Sequence, residues 1–231
     1  MSLKKADKKA VVLLSGGMDS ATCLAIAAHE GYECHTLACD YGQRHRRELE
    51  MAERQSKAFE SAGHQVVRVD LAAIGGSALT DSIEVPKETP PDSIPVTYVP
   101  ARNLVLLSIG LAHAEVIAAQ NLFIGANQVD YSGYPDCRRP FIEAFENTAN
   151  LATRMGTEGS RIRLHAPLLD MNKAQIIKTG LGLGVDFKNT HTCYDPDDSG
   201  RACGRCPACR LRLKGFAEAG IEDPITYQSL S

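Results

Sequence analysis

The sequence carries no marked excess of charge and no long apolar run. Its 25 basic and 28 acidic residues leave a formal net charge of −3, so no global basic field indicates binding to nucleic acid or to a membrane surface. The first ten residues are basic but lack the apolar core of a signal peptide, and no stretch approaches the length of a transmembrane helix. We therefore expect a cytoplasmic protein that binds neither nucleic acid nor membranes.

Disulfide bonds are also not expected, although the chain has eight cysteines. A cytoplasmic location favours metal binding or free thiols over a disulfide framework. Cys23, Cys34 and Cys39 lie in apolar segments and are predicted to be small core residues. Cys137 lies in a polar loop. It is either a residue of a ligand-binding site or an ordinary buried cysteine, and the sequence leaves both open.

Apolar runs alternate with helical patterns along most of the chain. Strands are predicted at Ala10–Leu14, Cys34–Asp40, His64–Asp70, Asn121–Asn127 and Arg161–Leu169, and helices at Ser20–Glu30, Arg44–Ala62, Asn103–Ala119, Pro140–Met155 and Ala208–Gly220. A further helix follows Asn172, which forms a capping-box pattern with Gln175. This alternation predicts an α/β fold with a Rossmann-like, doubly wound parallel sheet. We expect a nucleotide-binding domain at 8–188 and a small metal-binding segment with a helix at 189–231.

The loop after the first strand reads LLSGGMDS and lacks the lysine of the commonest phosphate loop, GxxxxGK[ST]. Its paired glycines still let the backbone approach a phosphate, and the next helix N-terminus offers free N–H groups. Asp19 beside a polyanion implies an intervening Mg²⁺ ion. A tight turn without a ligand is the structural alternative. The predicted nucleotide-binding residues are Leu14, Ser15, Gly16, Gly17, Met18, Asp19 and Ser20.

Four cysteines near the C-terminus have the spacing of a metal site. Cys203, Cys206 and Cys209 follow one another at two-residue intervals, and Cys193 lies ten residues before them. Four thiolates can close a tetrahedron around Zn²⁺ and leave no open position for water, so we predict a structural zinc site. An iron–sulfur cluster uses the same four ligands and is the alternative.

Three polar loops follow strands or the proline-rich segment and would converge on one crevice of a doubly wound sheet. That segment, Val85–Pro100, holds five prolines and predicts an ordered loop or lid at the active site. Asn103 is the predicted N-cap of the helix that follows. The loops offer Gln43, Arg44, His45, Arg102, Asn103, Gln128, Asp130, Tyr131, Ser132, Tyr134, Asp136 and Arg138. Their aromatic rings and carboxylates suit a flat, hydrogen-bonding base, although YSGYPD is equally typical of a turn.

The segment SGGMDS resembles the SGGxDS motif of the adenine-nucleotide α-hydrolase-like superfamily, whose enzymes cleave ATP between the α- and β-phosphates. Together with DYGQRH, VPARN, DYSGYPDCR, THTCYDP and CGRCPACRLRLKGF, it is similar to the 7-cyano-7-deazaguanine synthase (QueC) family from Val11 to Gly220. One departure is Ala101, where the family pattern has glycine. An alanine unable to adopt the glycine conformation would shift the contact of Arg102.

The resemblance implies that 7-carboxy-7-deazaguanine, ATP and ammonia form 7-cyano-7-deazaguanine, on the route to queuosine. It further implies an adenylated acid, then an amide that is activated by a second ATP, with Mg²⁺ and Zn²⁺ as metals and a homodimer as the assembly. The phosphate-loop residues would bind pyrophosphate, and Asp19 and Ser20 would act with Arg102 and Lys173 in catalysis. The substrate would contact Gln43, Arg44, Arg102, Asn103, Asp130, Tyr131, Ser132, Tyr134, Asp136 and Arg138.

Two other functions remain open from the sequence. A tRNA-modifying adenylating enzyme of the thiolase or lysidine-synthase type would share the phosphate loop, but the net acidic charge disfavours it. A zinc-ribbon binding module on an inactive nucleotide fold would use Arg210, Arg212 and Lys214, which alternate with leucines and are more typical of a solvated helix face. No glutaminase domain is recognised, so free ammonia is the expected nitrogen source.

Overall fold

A computed structural model describes residues 8–42, 47–81, 83–84, 94–127 and 134–228. Its strands are β1 (Lys9–Leu13), β2 (Glu33–Asp40), β3 (Gly63–Arg68), β4 (Asn121–Phe123) and β5 (Arg163–His165). Its α-helices are α1 (Met18–His29), α2 (Arg47–Ala58), α3 (Arg102–Val116), α4 (Arg139–Ala152), α5 (Arg154–Thr157), α6 (Lys173–Gly182) and α7 (Pro207–Ala219). No helix in the described part of the chain is long and apolar enough to cross a membrane.

The five strands form one sheet in the order β3-β2-β1-β4-β5. Every pairing is parallel, and β1 lies between β2 and β4, with Val12 opposite Thr36 on one side and Phe123 on the other. The chain winds outward from β1 to β3 and then returns to begin the other half with β4. The predicted doubly wound fold is confirmed, and its strand order reverses between β1 and β4, where ligands of such sheets bind.

Alternate residues of β1 supply the two halves of the core. Val11 and Leu13 pack with α3 and α4, whereas Ala10 and Val12 pack with α1, α2 and α6. A strand covered by helices on both faces must be apolar at every position, which explains the unbroken run Ala10–Leu14. The predicted boundary between residues 188 and 189 remains a prediction.

Several predicted boundaries are wrong for local reasons. The predicted strands at 121–127 and 161–169 shrink to three residues each. The predicted helix at 140–155 breaks at Thr153, which is extended and whose hydroxyl accepts the Gly156 N–H to start α5. The capping box of Asn172 and Gln175 is confirmed.

Asn103 is not the N-cap that the sequence predicts. The N-cap of α3 is Ala101, which adopts the left-handed conformation with φ 53° and ψ 21°. The Asp136 carboxylate accepts the Asn103 N–H at 2.9 Å and so replaces the missing capping side chain. Ala101 therefore does adopt the conformation for which the family pattern uses glycine, at a strain cost of about 1–2 kcal/mol.

Candidate functional site

The phosphate loop joins β1 to α1 at the point where the strand order reverses. Gly17 is the N-cap of α1, and no side chain caps the helix there. The first N–H groups of an α-helix have no partner within the helix, so this N-terminus can bind an anion. Ser20 Oγ accepts the Ser15 N–H at 3.2 Å and donates to Gly17 O at 3.0 Å, which holds the loop in one shape.

Gly16 is required by its backbone and by its surroundings. Its φ is 82°, and a Cβ there would collide with the Glu48 carbonyl oxygen of α2. Its carbonyl oxygen accepts the His191 N–H at 2.9 Å and the side-chain amide of Gln55 at 3.0 Å. Segments from both halves of the chain therefore position the loop, and neither Gln55 nor His191 was among the predicted site residues.

Asp19 and Lys173 form an ion pair beneath the loop. Lys173 Nζ lies 2.6 Å from Asp19 Oδ2, and both side chains are largely buried. Asn127 Nδ2 donates to the same oxygen at 3.2 Å, while Asp19 Oδ1 is buried without a hydrogen-bond partner among the described residues. A buried carboxylate oxygen with spare lone pairs is a suitable ligand for Mg²⁺, so the residues present fit that ion.

A crevice of about 260 Å³ opens beside the loop. Of the predicted site residues, Leu14, Ser15, Gly17, Met18, Asp19, Ser20, Arg102, Asn103, Tyr134 and Lys173 line it. Asp136 and Arg138 do not line it; Asp136 is buried at the start of α3, and the Arg138 side chain is exposed. Gln43, Arg44, His45, Gln128, Asp130, Tyr131 and Ser132 lie outside the described residues.

Arg102 is one of the cations that line the crevice. Its guanidinium lies 5.8 Å from the ring centre of Tyr41. Burial lowers its pKa, but the phenol oxygens of Tyr41, Tyr194 and Tyr134 outweigh that effect and leave the pKa above its usual value. Arg102 is therefore a permanent positive charge in the crevice.

Two tyrosines form a flat surface near this arginine. The Tyr98 and Tyr134 rings stack with centroids 5.8 Å apart and planes at 28°. Tyr98 Oη accepts the Ala101 N–H at 3.1 Å, which holds the ring beside the start of α3. Tyr98 was not predicted as a site residue, although the sequence places it three residues before Ala101. A stacked pair of this kind can support a planar heterocycle.

Cys137 and Asn103 meet at the floor of the same crevice. Asn103 Nδ2 donates to Cys137 Sγ at 3.0 Å, and the thiol is buried. Cys39 is half-buried and packs against the core as predicted, although it also lines the crevice. Cys23 and Cys34 are core residues as predicted, and burial raises the pKa of Cys34 to about 12.

The four C-terminal cysteines come together as a candidate metal site. Their sulfur atoms all lie within 4.8 Å of one another, and a tetrahedral Zn²⁺ site needs sulfurs about 3.8 Å apart. The N–H groups of Asp195 and Cys203 donate to Cys193 Sγ at 3.3 and 3.2 Å. Such donors stabilise thiolates, and hydrogen bonds from neighbouring thiols lower the pKa of Cys206. The arrangement fits one metal ion, and all eight cysteines of the chain are free of disulfides.

The cysteine cluster is connected to the phosphate loop through His191, which lies two residues before Cys193. His191 Nε2 approaches Cys193 O at 3.1 Å, while its backbone N–H holds the Gly16 carbonyl. One short segment therefore joins a cysteine ligand to the loop.

Arg212 corrects the predicted solvated face of the last helix. Arg210 and Lys214 are exposed, but the Arg212 side chain is fully buried. It forms two hydrogen bonds with Asp223, at 2.8 and 2.9 Å, and one with Thr190 Oγ1 at 2.6 Å. Buried arginines are retained where their donors are paired. Arg212 therefore links α7 by hydrogen bonds to the segment that contains His191.

Comparison with known proteins finds relatives along almost the whole chain. The family model described as "Queuosine biosynthesis protein QueC" matches residues 9–220. The 7-cyano-7-deazaguanine synthase of Citrifermentans bemidjiense is 56% identical over 223 residues, which cover 96% of this chain and 99% of that protein. The proteins of the same name from Geobacter sulfurreducens and Stutzerimonas stutzeri are each 59% identical, over 95% and 96% of this chain and 93% and 99% of their own length.

Solved structures agree with the fold. The NMN synthetase of Francisella tularensis has a TM-score of 0.50 at 14% identity and covers 94% of this chain and 79% of its own. A predicted subunit of tRNA methyltransferase from Methanocaldococcus jannaschii has a TM-score of 0.50 at 16% identity and covers 96% and 92%. At these identities the likeness shows the fold alone.

Proposed function

Because the chain belongs to the QueC family of queuosine biosynthesis proteins, we propose that it converts 7-carboxy-7-deazaguanine, ATP and ammonia to 7-cyano-7-deazaguanine. The observation that carries the proposal is one crevice that combines an anion-binding helix N-terminus, a buried carboxylate–ammonium pair and the ring of Tyr134. A carboxylate is a poor electrophile, so its oxygen must first become a good leaving group. Transfer of AMP to that oxygen achieves this, with pyrophosphate released.

Different residues of the crevice would bind the pyrophosphate, the phosphate charge and the substrate ring. The N–H groups at the start of α1 hold the departing pyrophosphate, which explains why the loop needs no lysine of its own. Lys173 adds a positive charge beside Asp19, and Arg102 faces the charge that develops on the phosphates or holds the substrate carboxylate. Mg²⁺, bound at Asp19, would neutralise phosphate charge. Tyr134, whose ring stacks on that of Tyr98, would pack against the deazaguanine ring.

The metal ion, the oligomeric state, the cellular location and the remaining substrate contacts are part of the same proposal. Cys193, Cys203, Cys206 and Cys209 would hold a structural Zn²⁺ ion that stabilises the segment behind the phosphate loop. The family resemblance supports a homodimer in the cytoplasm, and light scattering on the purified protein tests the dimer. Gln43, Arg44, Asp130, Tyr131, Ser132, Asp136 and Arg138 remain predicted substrate contacts.

Product analysis tests the function directly. The purified protein is incubated with 7-carboxy-7-deazaguanine, ATP and ammonium, and products are followed by mass spectrometry. We expect the amide and then the nitrile, with AMP and pyrophosphate. Asp19→Ala should lower the rate at least about 100-fold, whereas Glu158→Ala, at an exposed position of the same charge, should not. AMP transfer that requires tRNA and ignores the deazaguanine acid would overturn the proposal and favour a tRNA-modifying enzyme.

A further inference from the structure

Glu48 is an acidic side chain of the crevice that neither the phosphate loop nor the metal site uses. It lies in the first turn of α2, whose backbone packs directly against Gly16. Its side chain lines the same crevice as Asp19, Arg102 and Tyr134. Glu48 therefore lies beside the phosphate loop, next to the place where AMP would be transferred from ATP to the substrate.

The two carboxylates of the crevice have different surroundings. Asp19 is held by Lys173 and Asn127, whereas the Glu48 carboxylate is buried near the charge of Arg102. Burial raises the pKa of Glu48 to about 7, although the charge of Arg102 opposes the shift. A carboxyl group with a pKa near 7 can take up and return a proton at neutral pH.

The proposed reaction needs such a group at the nitrogen. When ammonia attacks the adenylated acid, a C–N bond forms, the bond from carbon to the AMP oxygen breaks, and the nitrogen must lose one proton to give the amide. When the amide oxygen takes a second AMP group, pyrophosphate leaves and the nitrogen loses another proton. Departure of AMP then forms the nitrile and releases the last one. Because the nitrogen keeps its place on the substrate throughout, one base beside it can serve all three losses.

We propose that Glu48 is a catalytic residue that accepts these protons from the substrate nitrogen. The assignment rests on the proposed function and adds the base that the phosphate loop does not contain. Asp19 is unsuited to this work because Lys173 neutralises it and because it lies under the pyrophosphate site. Glu48 returns each proton to solvent between steps, so the carboxylate is regenerated.

The test separates AMP transfer from nitrogen chemistry. Glu48→Gln keeps the size and polarity of the side chain and removes the base. Glu50→Gln, at an exposed position two residues further along α2, is the matched control. With the acid, ATP and no ammonia, exchange of labelled pyrophosphate into ATP should persist in both variants. With ammonia, Glu48→Gln should form amide about 100-fold or more slowly than wild type, while Glu50→Gln should match wild type.

Two further measurements distinguish a base from a merely structural side chain. Hydroxylamine is a far weaker base than ammonia, so its nitrogen loses the proton to water readily once it has attacked the adenylated acid. Hydroxamate formation by Glu48→Gln should therefore recover most of the lost rate. When the amide is supplied directly with ATP, the variant should also form nitrile slowly, because those steps release protons from the same nitrogen. An equal loss with ammonia and hydroxylamine, or dehydration of the amide at the wild-type rate, would overturn the assignment of Glu48.

Failure of the proposed function gives a different result. A wild-type protein without acid-dependent pyrophosphate exchange does not adenylate this substrate, and both proposals then fail. If the wild-type protein makes the nitrile and the Glu48→Gln variant makes it equally fast, only the role of Glu48 is refuted and the proposed function stands.

Discussion

The buried ion pair between Arg212 and Asp223 gives the sharpest prediction about stability. The two side chains are 0% and 5% exposed. Asp223 accepts two hydrogen bonds from Arg212, and the remaining two go to Thr190 Oγ1 and Phe187 O. Asp223→Ala therefore leaves a buried guanidinium with half of its described hydrogen bonds. Loss of one partner of a buried pair costs about 3–5 kcal/mol.

That cost converts to a large shift in melting temperature. For a chain of this size, each kcal/mol lowers Tm by roughly 2–4 °C, so Asp223→Ala should melt about 6–20 °C below wild type. Thermal denaturation followed by circular dichroism measures the shift. Glu218→Ala is the control, on the helix that contains Arg212, because it removes only an exposed pair with Lys214 at 3.7 Å. That change should cost about 0.3–0.5 kcal/mol and lower Tm by at most about 2 °C.

A double replacement checks the physical reason. Arg212→Met with Asp223→Leu removes both charges and fills the space with apolar atoms, which is often neutral or stabilising in a protein interior. We expect it to recover most of the loss of Asp223→Ala. Two results would refute the reasoning from an uncompensated buried charge. One is a melting temperature of Asp223→Ala equal to that of Glu218→Ala, and the other is a double variant less stable than Asp223→Ala.

Four further predictions concern the crevice and the metal site. Gly16→Ala should destabilise the protein by about 1–3 kcal/mol and weaken ATP binding in calorimetric titration, because its Cβ collides with α2. Ala101→Gly should relieve the left-handed strain and raise stability by about 1 kcal/mol in denaturant unfolding; unchanged stability would contradict the strain. Cys206→Ser should reduce the bound metal and also weaken ATP binding, since the metal site and phosphate loop share the His191 segment; full ATP affinity without metal would refute that link. The pKa of Glu48 lies at about 7 in the folded protein and at 4.5 ordinarily, so its ionisation costs stability as the pH rises between those values. Glu48→Gln should therefore melt higher than wild type at pH 8, with a difference that shrinks towards pH 5.

Features that depend on neighbouring residues were predictable from the sequence. The run Ala10–Leu14, the paired glycines after it and the capping box at Asn172 each carry their signal within a few residues. The two-residue spacing of the cysteines likewise allows three thiols to meet, and in the structure they do so at the start of α7. Strand ends were predicted less well, since the apolar runs continue past the three residues of β4 and of β5.

The remaining parts of the site depend on contacts between distant residues. Lys173 meets Asp19 across 154 positions, and Gln55 meets Asn189 across 134, and no local pattern records such distances. Arg212 was present in a quoted motif and Glu48 follows another by three residues, but the burial of both depends on tertiary packing.

The sequence by itself determined the phosphate loop, the thiolate cluster and the alternation of strands and helices, because each follows from spacing along the backbone. The tertiary structure alone decided which charges are paired and which carboxylate remains available for a proton. Those properties depend on burial and on partners from other elements, and a pKa or an ion pair exists only after the chain has folded.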